Sequence, residues 1–181
     1  MRNEFEWKWD KWRIRQIMKK NRKQGVTKID LFLDFDGVIN VFLLPGTEKY
    51  EEKAKQEVFE FADRACVKRV SDLCLEKDCR IIISSSWRFA GLDYCRDYLY
   101  KAGMDERVEI ADVTESDAFR ARDEEIMDYL LSHQDFAGFL IFDDGRMPNL
   151  PEYEILTDPT VGYDESQDQK ARAMIDAMLK G

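Results

Sequence analysis

Ile29-Asp30-Leu31-Phe32-Leu33-Asp34-Phe35-Asp36-Gly37-Val38 is the stretch whose reading decides the fold. Leu31 to Leu33 is a short apolar run of the kind found in strands buried on both faces. It stops at two carboxylates, Asp34 and Asp36, followed by Gly37. Residues two apart on a strand point the same way, so both carboxylates are expected on one side of the strand's carboxyl end. That end is where open α/β sheets bind ligands. Gly37 allows a sharp turn and a close approach to the backbone. Taken alone, the same residues fit an ordinary acidic turn equally well.

Two further runs behave alike. Ile81-Ile82-Ile83 ends in Ser84-Ser85-Ser86-Trp87-Arg88, and Phe139-Leu140-Ile141-Phe142 ends in Asp143-Asp144-Gly145. Hydroxyls can hold phosphate oxygens, and clustered carboxylates can hold a hard cation. With D-x-D-G-V first, a serine after the second strand and paired aspartates last, the chain from about Lys28 onward resembles the haloacid dehalogenase-like superfamily of phosphotransferases. S-S-S-W-R, Arg122-x-x-Glu125-Ile126 and F-D-D-G resemble a narrower branch, which includes phosphatase domains of Swiss Army Knife RNA repair proteins.

The resemblance implies roles. Asp34 matches the family nucleophile, since a carboxylate can form a covalent intermediate with phosphorus. Asp36 matches the general acid and base. Ser84 and Ser85 both qualify as the hydroxyl that binds phosphoryl oxygens. Arg122 fits best as the cation that neutralises the transferred group, with Arg88 and Arg120 as rivals. Trp87 is read as core, not as a substrate platform. Four carboxylates beside a phosphate dianion repel, by on the order of 4 kcal/mol for two charges 4 Å apart at a surface-like dielectric. Such a cluster needs a cation, and oxygen-only ligands favour Mg²⁺ over zinc. By resemblance, Asp34, the Asp36 carbonyl and Asp143 or Asp144 hold it.

The 181 residues suffice for one domain with a good core. No run approaches the length of a membrane span, and the charged, tryptophan-rich start does not read as a signal peptide. Cys66, Cys74, Cys79 and Cys95 form no C-x-x-C pair and His133 is the only histidine, so a zinc site or disulfide framework is not expected and a reduced cytoplasm is. Net charge is −9, unevenly spread: residues 1–28 hold ten Lys or Arg against three Asp or Glu, +7, which leaves −16 for the rest. Residues 1–27 therefore read as a basic helical arm, and residues 28–181 as the phosphatase domain. In the arm, Phe5, Trp9, Trp12 and Ile17 recur at roughly helical spacing. They suit either packing on the domain, the favoured reading, or contact with RNA or a membrane surface. As every assigned catalytic residue lies later, deleting residues 1–24 is expected to spare hydrolysis of small esters.

Strands over 28–36, 80–84, 107–113, 139–143 and 154–156 alternate with helices over 63 onward, 92–102, 119–131 and 167–179. That pattern predicts an α/β, Rossmann-like parallel sheet of about five strands with helices on both faces, the fifth strand at an edge. Residues 38–62 form a loop-rich insertion, enough for a flap bearing Phe42 and Tyr50 but not for a cap domain, and residues 113–119 leave no room for one. The function expected is a Mg²⁺-dependent phosphomonoesterase on phosphorylated substrates, with an open site that suits nucleic-acid ends. The alternatives are a phosphomutase, a phosphoacceptor receiver domain, or a binding module with an inert site.

Overall fold

The computed structural model describes residues 1–55, 61–115 and 120–180. In chain order the elements are α1 (Glu4–Lys23), β1 (Ile29–Leu33), α2 (Glu48–Ala54), α3 (Arg64–Lys77), β2 (Cys79–Ile83), α4 (Leu92–Lys101), β3 (Glu109–Val113), α5 (Arg122–Ser132), β4 (Gly138–Asp143), β5 (Glu154–Leu156) and α6 (Glu165–Lys180). A 3₁₀ segment, Ser86–Ala90, lies between β2 and α4.

Every strand pair is parallel, in the order β3-β2-β1-β4-β5. The chain steps from β1 outward through β2 to β3, then returns to the other side of β1 for β4. The reversal puts a crevice at the carboxyl ends of β1 and β4, the place where doubly wound sheets take ligands. A receiver domain has the order 2-1-3-4-5 instead, so the sheet argues against that alternative.

All five residues of β1 are buried, and strand periodicity sorts them between two cores. Leu31, Leu33, Ile81, Ile83, Leu140 and Phe142 face a cluster that includes Val67, Val70 and Leu73 of α3, Leu99 of α4 and Ala171 and Ile175 of α6. Phe32, Ile82, Phe139 and Ile141 face the other cluster, with Ile126, Met127 and Leu130 of α5 and Trp7, Ile14 and Met18 of α1. Asp30 points into the second side with no exposure, and is tolerated because Arg80, its register partner on β2, donates to it from Nε at 2.6 Å.

Local signals set the helix ends. Asp63 caps α3 as expected, accepting from the amides of Ala65 and Cys66. Gly103 follows α4 at φ +106. Asn3 and Glu6 form a capping box that starts α1. The insertion read as loop contains α2, capped by Thr47 and burying none of its residues; residues 56–60 lie outside the described part. α5 begins at Arg122, whereas the sequence placed its start at about 119, a residue outside the described part.

The face that α1 buries differs from the expectation. Trp7, Ile14, Met18 and Asn21 are buried, whereas Phe5, Trp9 and Trp12 are exposed. Trp9 and Trp12 stack on each other, centroids 5.0 Å apart. Trp7 instead continues the i, i+7, i+11 row of Ile14 and Met18, so one indole packs inward and two face water. The four cysteines are free and buried. No described helix is long and apolar enough to cross a membrane.

Candidate active site

Register builds the centre of the site. Leu33 lies opposite Ile83 on one side and Phe142 on the other. The next residues, Ser84, Asp34 and Asp143, therefore come level across three adjacent strand ends. Main-chain bonds lock them there: the Ser84 amide donates to the Leu33 carbonyl at 3.1 Å, and the Asp34 amide to the Phe142 carbonyl at 3.0 Å.

Carboxylate oxygens of Asp34, Asp143 and Asp144 lie within 4.8 Å of one another. Asp34 and Asp143 are buried. Burial pushes the Asp143 carboxyl up to about 6; Arg122 opposes the rise and the charge of Asp34 adds to it. Asp144 is also raised, by burial first and then by Asp34. Gly37, at φ +77, closes the turn against them: a Cβ there would lie 2.5 Å from Asp144 Oδ2. Thr157 Oγ1 donates to the Gly37 carbonyl at 2.8 Å and pins that turn.

Arg122 reaches in from the first turn of α5. Its Nη1 donates to Asp34 Oδ2 at 2.6 Å and also to Asp143 Oδ2. Burial works against its charge, but the two aspartates outweigh burial and hold its pKa above the ordinary value. The rivals stand elsewhere. Arg120 pairs with Glu124 and Asp128 on the outside of α5. Arg88 is committed to structure: it donates to the carbonyls of Ser84 and Ser85 and, from Nη2, to Glu125 Oε2 at 2.8 Å. It thus ties the serine loop to the same helix turn that carries Arg122.

That turn is held from three directions. Asp123, Glu124 and Glu125 are all buried. Asp123 accepts from Asn149, Glu124 from the Arg2 amide at 2.7 Å, and Glu125 from Arg88. Three acids in a first turn also suit the positive end of the helix dipole.

The two serines separate. Ser85 caps the 3₁₀ segment, its Oγ accepting from the Trp87 amide at 3.3 Å. Ser84 is wholly buried and its Oγ has no hydrogen-bond partner. A hydroxyl left unmatched in a folded interior is costly, and this one sits level with Asp34.

Asp36 departs from the expectation that its carboxylate joins the other three. β1 ends at Leu33, so the two-residue alternation no longer governs the positions of Asp34 and Asp36. Asp36 Oδ1 accepts from Asn40 Nδ2 at 3.0 Å, and Oδ2 from Trp87 Nε1 at 2.9 Å. Trp87 is half-buried: its ring packs on the core as read, and its N–H serves the site. Asn40 and Tyr98 carry no role in the sequence reading, and Glu125 stands there only as part of the Arg122-x-x-Glu125-Ile126 motif. Asn40 offered a signal, as a polar residue in the turn directly after Asp36; Tyr98 comes from mid-α4, 62 residues on.

The donor set suits a hard divalent cation. Asp34, Asp143 and Asp144 supply oxygens only, already gathered, with no thiolate or imidazole among them. The resemblance implies that Asp36 would contribute through its main-chain carbonyl; its carboxylate is engaged by Asn40 and Trp87.

Comparison with known proteins gives one family. The family described as "HAD domain in Swiss Army Knife RNA repair proteins" matches residues 31–167 of the 181, more than half of the chain. No curated protein matches, and no solved structure does.

Proposed function

The chain belongs to the haloacid dehalogenase-like family of domains found in Swiss Army Knife RNA repair proteins, and from that premise we propose that it is a Mg²⁺-dependent phosphomonoesterase acting through an aspartyl-phosphate intermediate on phosphorylated nucleic-acid ends. The observation that carries the reading is the level placement of Ser84, Asp34 and Asp143, with the Arg122 guanidinium 2.6 Å from the Asp34 carboxylate.

The chemistry follows from these positions. An Asp34 oxygen attacks phosphorus, and the bond from phosphorus to the ester oxygen breaks. Protonated Asp36 gives its proton to the departing oxygen, so the leaving group departs as an alcohol. Asp36, now a carboxylate, takes a proton from water as that water attacks the phosphoryl group and the bond to Asp34 breaks. Inorganic phosphate and free Asp34 result, and Asp36 is protonated again. Arg122 offsets charge on the transferring group and Ser84 Oγ donates to one of its oxygens, giving the buried hydroxyl its partner. Asp34, Asp143 and Asp144, with the Asp36 carbonyl by the family resemblance, would hold Mg²⁺, which when bound would supply the positive charge that lets an anionic nucleophile meet a phosphate dianion.

Two observations support a nucleic-acid end over a small metabolite. The family's description names RNA repair proteins. The outer face of α1 combines the stacked Trp9–Trp12 pair, 53% and 50% exposed, with exposed Lys19, Lys20 and Lys23. Stacking indoles beside cations are the means by which single strands are held without sequence preference.

The test is hydrolysis of p-nitrophenyl phosphate. Turnover is expected with Mg²⁺, to stop with EDTA, and to vanish in Asp34→Asn while the melting temperature stays within a few degrees. Metal-free activity, or a folded and active Asp34→Asn, refutes the reading.

A further inference from the structure

Asp36 is held by a chain of neutral donors drawn from three parts of the fold. Trp87, in the 3₁₀ segment after β2, donates its indole N–H to Oδ2 at 2.9 Å. Asn40, in the turn after Gly37, donates its amide N–H to Oδ1 at 3.0 Å. The Tyr98 hydroxyl of α4 lies 2.5 Å from Asn40 Oδ1. The indole can only donate, and the amide is orientated by its second partner: with Oδ1 taken by the phenol, the Nδ2 end must face Asp36. Aromatic packing seats the donors. Trp87 and Tyr98 lie with centroids 4.6 Å apart, and both contact Phe35, wholly buried between Asp34 and Asp36, at 5.6 Å.

We propose that Trp87, with Asn40 set by Tyr98, positions Asp36 as the general acid, holding its carboxyl apart from the Asp34, Asp143 and Asp144 cluster so that it serves the leaving oxygen. This rests on the reading of Asp36 as the acid. The arrangement suits that task on three counts. Each Asp36 oxygen gives one lone pair to its donor and keeps another for the travelling proton. Both donors are neutral, so they orient the carboxyl without adding a cation that would compete at the phosphoryl site. And with both oxygens engaged, the side chain is restrained from turning toward the metal ligands, where it would be lost to proton transfer.

The experiment separates a poor leaving group from a good one. An alkyl phosphate such as glycerol 2-phosphate leaves as an alkoxide unless protonated, whereas p-nitrophenolate departs readily unaided. Single-turnover release of the alcohol reads the first half-reaction alone. Trp87→Phe keeps an aromatic ring and deletes the N–H. It is expected to slow glycerol release on the order of 10- to 100-fold, within the range of acid–base contributions. It should slow p-nitrophenol release less than about 3-fold, with half-saturating substrate little changed. Tyr98→Phe, which removes one hydroxyl and frees the Asn40 amide to turn, should show the same preference more weakly, and covers the case in which Trp87→Phe fails to fold. Asp36→Asn is the reference. If Asp36→Asn discriminates between the two esters and neither folded aromatic variant does, the positioning role is overturned while the acid reading stands. If Asp36→Asn slows both esters equally, or neither, Asp36 is not the acid and the positioning role falls with it. An equal loss on both esters in Trp87→Phe and Tyr98→Phe marks a merely structural contribution and also overturns the proposal.

Discussion

At Asp143 burial and charge pull against each other. It is 2% exposed and its carboxyl is raised from 3.8 to about 6. A carboxyl raised in the folded state binds its proton more tightly there than in the unfolded chain. Its contribution is therefore favourable below about pH 4 and is lost as pH rises to about 6, after which the deficit is constant. Without a metal ion, and with Arg122 already beside it, ionised Asp143 should cost about 3 kcal/mol at pH 7.5, from the linkage of pKa to free energy. In EDTA, Asp143→Asn is thus expected to raise the melting temperature at pH 7.5, with the gain shrinking as pH falls from 6 to 4. The Asn Oδ1 can still accept from the Gly145 amide, now 2.8 Å from Asp143 Oδ1. Thermal melts of both proteins across that range check the prediction; a gain that grows on acidification would contradict it. Ser84 carries a cost of another kind, a buried hydroxyl without a hydrogen-bond partner, and on the proposed reading a phosphoryl oxygen would supply that partner.

Among elements, α1 and α5 form one unit. α1 covers the second face of the sheet through Trp7, Ile14 and Met18, and Arg2 clamps it to α5. The Arg2 amide donates to Glu124 and its guanidinium to Asp10 and Asp128. Glu124 is two residues from Arg122. Deleting residues 1–24 should therefore expose the Phe32 side of the core and loosen the turn that carries Arg122, unlike the harmless trimming expected when only catalytic positions along the sequence are considered. Ile14→Ala alone should cost about 2–5 kcal/mol, a fall in melting temperature on the order of 10 °C for a chain of this size. A truncated protein that melts with the full chain and keeps its activity on p-nitrophenyl phosphate would show that α1 merely rests on the domain.

At the scale of the whole molecule, charge is segregated: net −9 overall, with +7 concentrated in residues 1–28. An acidic body repels polyanions, so an approaching strand meets attraction chiefly along α1. If α1 holds the strand, kcat/KM for a 5′- or 3′-phosphorylated single-stranded oligonucleotide should exceed that for a sugar phosphate at low salt and fall steeply as salt rises, while turnover of p-nitrophenyl phosphate stays nearly flat. Changing Lys19, Lys20 and Lys23 to Gln should flatten the oligonucleotide salt slope by about 2, at roughly 0.7 per phosphate contact on single strands. Equal or better turnover of the sugar phosphate would defeat the nucleic-acid reading and leave the phosphatase reading intact.

Periodicity and strand-end chemistry determined much of this protein from the sequence alone. Apolar runs of three or four residues that stop at Asp34, Ser84 and Asp143 set the parallel strands, because strands buried on both faces read that way and their carboxyl ends are where such sheets gather ligand-binding polar groups. Asp63 and Gly103 marked helix ends through local hydrogen bonding and backbone freedom, which need no distant partner. Three matters waited for the tertiary structure, since each depends on what residues far apart in the chain place beside one another. The motif favoured Arg122 and left Arg88 and Arg120 as rivals; packing around α5 sends Arg122 to Asp34, Arg88 to Glu125 and Arg120 outward. Trp7, Trp9 and Trp12 offer equal apolar surface, and the helix face carrying Ile14 and Met18, turned into the cluster of Phe32 and Ile126, selects the indole to bury. Asp36 lies two residues from Asp34, yet the strand ends before either, and donors 4 and 51 residues away, Asn40 and Trp87, turn its carboxylate to a separate task.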